Sequence, residues 1–323
     1  MEKQAVELLE DKNGDEESLL QTLEQQINWY GRPMCLFQGF WCPSFTLRSL
    51  LCFQKKFKPH DTDIVLASLP KAGTTWLKAL LFSIVNRHRF PIDQSPLLTT
   101  NPHRLVFSFE CVHFRHEDNP NLENMNHPRL FSTHLAHQVL PNSLTNSKSK
   151  IVYVHRNLLD RFISDRKFFL KTNQETDFEP LPVEEAFDMF CKGIHSFGPF
   201  WEHILGYWKA SLENPDRVLF LKYEDVKRDP ISSAVKIAEF VGMPFSEEEE
   251  KRGLIGEISE LCSFEKMKNL EVNKSGIHRG SIENSSFFRK GEIGDWKNHL
   301  SPEMAERLQQ IMDEKMSECG LML

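Results

Sequence analysis

Between Asp63 and Val85 an apolar run, a short turn and a helical repeat follow one another, and this junction constrains the fold most. Asp63-Ile64-Val65-Leu66-Ala67-Ser68-Leu69 reads as a buried strand. After Pro70 comes Lys71-Ala72-Gly73-Thr74-Thr75-Trp76, and then Leu77, Leu80, Leu81, Ile84 and Val85 recur at helical spacing. A strand that turns tightly into a helix aims backbone N–H groups at one point, where an oxyanion can sit. Gly73 permits close backbone approach, Lys71 brings a point charge, and Thr74 and Thr75 bring hydroxyl donors. The nucleotide-triphosphate loop G-x-x-x-x-G-K-[ST] does not match, because its first glycine and its Gly-Lys order are missing. An ordinary capped turn is the plainer alternative, since Thr is a common N-cap.

Similar runs recur downstream. Lys150 to Val154 and Arg217 to Leu221 read as further buried strands, with Arg129 to Thr133 a shorter fourth. Helical patterns separate them, which predicts an α/β fold whose central, mainly parallel sheet is flanked by helices. Asp229-Pro230 opens one helix and Gly242 closes it. Ser301-Pro302-Glu303 opens the last, with Met304, Leu308, Ile311 and Met312 facing inward. Trp201, Ile204, Leu205 and Trp208 form an apolar helical face that reads as core. With no internal repeat or low-complexity linker, a single domain over 26–323 is expected, preceded by a mobile acidic tail over 1–25.

The net charge of −7 argues against nucleic-acid binding through bulk electrostatics, so any anion must be held by a few local cations. Seven scattered cysteines without a C-x-x-C pair suggest neither a disulfide framework nor a zinc site, and no metal is implied. The acidic N-terminus is unlike a targeting peptide. The apolar stretch Cys35 to Phe53 is broken by Gln38, Pro43, Thr46 and Arg48, so no membrane span is expected and a cytoplasmic location is.

Two distant segments supply the cations. Arg156-Asn157 ends the Lys150 run, and Ser164 follows eight residues beyond the arginine. A cation at the carboxyl end of a parallel strand points into the crevice where such folds bind ligands. Arg289-Lys290-Gly291, within Phe288 to Lys297, places paired charges beside a glycine, as a phosphate monoester would require. Taken singly, an ion pair, a helix serine and a solvated basic turn explain these residues equally well.

Taken jointly, the three segments carry a resemblance. Pro70 to Trp76 resembles the P-K-[ST]-G-T-T-W loop of cytosolic sulfotransferases, which binds the 5′-phosphosulfate end of 3′-phosphoadenosine 5′-phosphosulfate (PAPS). Arg156 to Ser164 resembles their R-N-x-x-D-x-x-x-S segment, whose Arg and Ser hold the 3′-phosphate, and Arg289-Lys290-Gly291 lies in a run resembling their C-terminal motif. The similarity extends from about Phe53 to the C-terminus and looks like the plant branch. It implies that Trp76 and Phe264 sandwich the adenine, that Tyr223 contacts its edge, and that His134 is the catalytic base. It further implies that Lys71 stabilises the leaving oxygen and that Ser164 restrains this lysine until the acceptor arrives.

Several positions depart from that pattern. Ala72 replaces a hydroxyl residue, Ser132 stands where animal relatives often carry a lysine, and Leu158-Leu159 replaces Pro-Lys. Asp165-Arg166 replaces apolar or aromatic residues, which sets a carboxylate next to Ser164. The dimer motif of animal relatives survives only as Lys297, Ser301-Pro302 and Glu306, so a monomer is expected. The acceptor implied is a small hydroxylated molecule: a flavonol or other phenolic, a brassinosteroid, a hydroxyjasmonate, or less favourably a desulfoglucosinolate. Its pocket is expected from Phe37, Phe40 and Trp41, from Phe107 to Phe114, and from the stretch before the C-terminal motif. A catalytically silent PAPS-binding protein and a small-molecule kinase are the competing readings.

Overall fold

All four apolar runs enter one sheet. The computed structural model of this chain describes residues 14–110, 122–172, 178–278, 282–317 and 320–321. Its central sheet has five parallel strands in the order β5-β6-β4-β7-β8, formed by β4 (Ile64–Ser68), β5 (Phe107–Ser108), β6 (Leu130–Thr133), β7 (Lys150–His155) and β8 (Val218–Lys222). In register, Ile64 lies opposite both Leu130 and Lys150, so β4, β6 and β7 run level.

Alternation along the strands divides the core between the two faces of the sheet. Val65, Ala67, Ile151 and Tyr153 face one apolar cluster, which takes in Ile204 and Leu205 of helix Phe200–Glu213 and Leu308 of helix Pro302–Met316. Ile64, Leu66, Val152 and Val154 face the other, with Leu77, Leu80, Leu81, Ile84 and Val85 of helix Thr74–Asn86. The helix starts read from sequence hold. Asp229 accepts the Ser232 N–H ahead of Pro230, and Ser301 accepts the Met304 N–H ahead of Pro302.

The N-terminal region departs from expectation. Within the stretch read as a tail, Gly14–Thr22 is helical and β1 (Gln25–Ile27) pairs with β2 (Pro33–Phe37), which pairs with β3 (Phe40–Pro43), all antiparallel. Leu19, Leu20 and Leu23 pack on the core, and the acidic composition around them obscured that apolar face. Two backbone bonds, Trp41 N–H to Gly198 O at 2.7 Å and Phe197 N–H to Trp41 O at 2.6 Å, tie β3 to the segment before helix Phe200–Glu213.

Candidate active site

Strand register decides what meets what. Lys71 follows β4, His134 follows β6, Arg156 follows β7 and Tyr223 follows β8, so four distant segments converge at one edge of the sheet. β4 lies between β6 and β7, and a cavity of about 810 Å³ opens beyond these carboxyl ends. Every residue expected to hold the nucleotide or to act on the reacting groups lines it except Ala72, which is buried in the loop beneath.

In the loop, Lys71 and Gly73 both take positive φ, +66° and +105°. A Cβ on Gly73 would stand 2.6 Å from the Tyr223 ring, so glycine is required by packing as well as by backbone angle. Ser68 Oγ and Thr74 Oγ1 share a hydrogen bond of 2.8 Å, and Thr75 Oγ1 lies 2.9 Å from His103 Nε2. The Lys71 ammonium sits 3.9 Å from the centre of the Phe168 ring. Burial lowers its pKa to about 7, with Arg156 and Arg289 adding repulsion and Asp165 opposing.

Arg156 donates through Nη2 to the Glu292 carbonyl at 2.8 Å and lies over the Tyr223 ring at 4.7 Å. Its Nε is buried without a partner. Ser164 lines the cavity from helix Leu158–Thr172, two turns beyond the helix start. On the far wall Gly291 has φ +67°, and a Cβ there would stand 2.7 Å from Phe264. Trp76 meets Tyr223 edge-on with ring centres 5.6 Å apart.

Asp295 organises the C-terminal motif in a way the sequence did not announce. It binds Arg289 Nη1 at 2.5 Å and Lys290 Nζ at 2.6 Å. Burial pushes its carboxyl up, but the bonds from Lys290, Arg289 and Asn298 outweigh this and hold its pKa well below the usual range. Asp160 does comparable work from helix Leu158–Thr172: its two oxygens accept the Gly294 N–H at 2.6 Å and the Trp296 N–H at 3.0 Å. Lys227 donates to the Gly291 carbonyl, and Tyr223 OH reaches the same oxygen at 3.4 Å.

His134 is fixed on two sides. Its Nδ1 lies 2.7 Å from the Ser68 carbonyl, which can only accept, so Nδ1 carries the proton and Nε2 is left with the lone pair. Its backbone N–H donates to Glu110 Oε1 at 2.7 Å, while Glu110 Oε2 accepts from Thr133 at 3.0 Å. Burial lowers the imidazole pKa, partly offset by the Glu110 charge and the Ser68 bond, so the ring is neutral at pH 7. Glu110 was not singled out from sequence; a lone carboxylate directly after the apolar run Val106 to Phe109 was the available signal. His137 sits in a short turn and does not line the cavity.

The expected acceptor wall needs correcting. Phe37, Phe40 and Trp41 are buried and absent from the cavity lining, because the β2–β3 hairpin turns these side chains into the core. The N-terminal contribution comes instead from Tyr30, Arg32, Pro43, Phe45 and Thr46. Of Phe107 to Phe114, Ser108 lines the cavity and residues 111–114 fall outside the described residues. His278, Ile282, Phe287 and Phe288 supply the stretch before the C-terminal motif. Ser132 donates to the Phe107 carbonyl at 3.1 Å, bridging β5 and β6. Asp165 points into the cavity wall, buried. No group of three or more metal-ligating side chains occurs, and no helix is long and apolar enough to cross a membrane, among the described residues.

A model of the sulfotransferase domain matches residues 61–320. Cytosolic sulfotransferase 5 of Arabidopsis thaliana is 45% identical over 97% of this chain and 98% of its own. Flavonol 3-sulfotransferase of Flaveria bidentis is 47% identical over 89% of this chain and 92% of its own. A crystal structure of a candidate steroid sulphotransferase from Arabidopsis thaliana superposes with a TM-score of 0.75 at 38% identity, covering 95% of this chain and 94% of that one. A mouse sulfotransferase complexed with PAP superposes at 0.67 and 25% identity, over 88% and 95%. Sheet, strand-end cradle and family match together make the protein an enzyme of sulfuryl transfer. The chain belongs to the plant-type cytosolic sulfotransferase family.

Proposed function

We propose that this enzyme takes the sulfuryl group from PAPS and places it on a hydroxyl of a small metabolite, with His134 Nε2 as general base. The observation that carries the reading is the Nδ1 bond to the Ser68 carbonyl, which leaves Nε2 as the acceptor nitrogen of a ring lining the cavity. The cradle suits the nucleotide: Arg156 has a buried Nε without a partner, and Gly73 and Gly291 leave room where a Cβ would collide. When bound, PAPS supplies an activated sulfur–oxygen bond whose leaving side is a phosphate. His134 takes the proton from the acceptor hydroxyl as its oxygen bonds to sulfur. Lys71, one loop away, neutralises charge on the bridging oxygen as it departs with the phosphate.

Arg156 and Ser164 are assigned to the 3′-phosphate, with Arg289, Lys290 and Gly291 closing over it. The loop Lys71 to Thr75, with Ala72 contributing backbone only, is assigned to the 5′ end. Trp76, Phe264 and Tyr223 are assigned to the adenine, which their aromatic faces suit. No metal enters this scheme. The protein is further proposed to act in the cytosol as a single domain and as a monomer, without nucleic acid or membrane partners. Its relatives are named cytosolic, and Ser301-Pro302 serves as a helix start.

The test is transfer of labelled sulfate from PAPS to a panel of flavonols, hydroxysteroids and hydroxyjasmonates by wild type and His134→Ala. Turnover that collapses in the variant while PAP still binds is the expected result. Equal turnover in both proteins would remove His134 from the chemistry, and failure of PAP to bind wild type would sink the assignment of the cradle.

A further inference from the structure

Asp165 is a buried carboxylate in the cavity wall whose pairing is incomplete. Only 4% of its surface is exposed, yet its Oδ1 has no hydrogen-bond partner. Orphaned oxygens of this kind are costly, so a protein rarely keeps one without a use. Behind it on the same helix is Arg161, also buried, with both Nη atoms unpartnered and its Nε donating to the Pro70 carbonyl. Lys71 stands on the cavity side, close enough that each charge shifts the other. Burial raises the Asp165 pKa to about 6, with Arg161 and Lys71 opposing.

The surroundings decide which ligand group fits. Tyr30 and Phe169 stack with ring centres 4.0 Å apart, and Phe168 and Phe197 line the same region. The Phe197 ring lies 5.6 Å from that of His134, so these walls adjoin the base. Flat apolar walls suit an aromatic acceptor. Arg161 and Lys71 already balance the carboxylate charge, so a further cation would meet repulsion. A neutral O–H donor instead pairs with the carboxylate, which borders the cavity, without adding charge.

Building on the proposed transfer reaction, we infer that Asp165 is a specificity residue that accepts a hydrogen bond from a second hydroxyl of an aromatic acceptor. The enzyme therefore selects polyhydroxylated phenolics over acceptors with the reacting hydroxyl alone. A site built to satisfy a hydroxyl rejects the analogue lacking it, because its own buried oxygen is then left unpaired.

The experiment compares quercetin with 3-hydroxyflavone, which has a single hydroxyl, using wild type, Asp165→Asn and Asp165→Leu. PAPS-dependent kcat and KM are measured, together with calorimetric binding of both compounds to the PAP-loaded proteins. The expected result is a preference for quercetin in wild type that falls about tenfold or more in Asp165→Leu, carried by KM and by binding. Asp165→Asn, whose amide oxygen still accepts, keeps part of the preference, and unchanged PAP affinity shows that each variant is folded. An unchanged preference overturns the inference. So does an equal fall in kcat for both compounds at constant KM, which would mean that Asp165 acts through Lys71. If wild type binds quercetin preferentially but sulfates neither compound, transfer to flavonols fails while the binding role of Asp165 stands. Absence of binding by either compound overturns the inference itself.

Discussion

A histidine becomes a general base only when one ring nitrogen is held and the other is free. Ser68 supplies the hold on His134 through a backbone carbonyl, which no side-chain substitution at position 68 can remove. Replacing the imidazole by alanine should lower kcat by about 10²–10⁴-fold with PAP affinity kept within a few-fold, as proton transfer is lost but the cradle is not; isothermal titration beside steady-state rates separates the two. Gly73→Ala should behave differently. Its Cβ would strike the Tyr223 ring at a left-handed backbone angle, so PAP affinity and melting temperature should fall together. Sequence placed Lys71, His134 and Arg156 at strand ends, since apolar runs and turn residues are local signals, whereas Tyr223 came only from the family resemblance. It could not show that Asp295 engages Arg289 and Lys290, or that Phe37 and Trp41 turn inward. Both depend on side-chain direction set by distant packing.

Elements that bury a continuous apolar face were the legible ones. The strands at Ile64, Lys150 and Val218 and the helices opened by Pro230 and Pro302 match their sequence limits to within a residue or two. The two-residue β5 was not read, because a strand so short carries little periodicity of its own. The hairpin of β2 and β3 was not read either, because its apolar residues run on past the turn at Gln38-Gly39 into the next helix. Asp160 shows how the elements are joined: one carboxylate on helix Leu158–Thr172 fastens two amides of the C-terminal motif. Asp160→Ala would leave two amides seeking partners. At about 1.5–3 kcal/mol for a hydrogen bond to a charged group, unfolding in urea should shift clearly. PAP should also bind more weakly, because Gly291 to Trp296 would no longer be held against the cradle. Unaltered PAP affinity would show that Asp295 alone orders the motif.

Across the whole molecule, buried imidazoles link stability to pH. His155 and His203 are buried near the sheet, and burial lowers the pKa of each to about 3. The folded chain thus declines protons that the unfolded chain accepts below about 6.5. The stability these neutral rings confer is complete above pH 6.5 and declines as pH falls toward 3, by about 2 kcal/mol for each ring at pH 5. Melting temperature should therefore drop between pH 7 and pH 5, and His203→Gln should flatten that slope by about one proton. A slope identical to wild type would show that His203 is not neutral in the fold. The overall α/β architecture was legible because its strands are buried runs. The sharing of one pivot by the loop helix and the His134 ring was not.

That pivot is Ser68. Its hydroxyl meets Thr74 at the start of helix Thr74–Asn86, and its carbonyl orients the His134 ring. In the proposed reaction the line between attacking and leaving oxygens is therefore set by the backbone of β4, whereas Tyr30, Phe45, Phe168 and Phe287 line the cavity from other segments. Such a division lets an engineer exchange the walls to admit a new acceptor while the alignment of the reacting atoms stays where β4 set it.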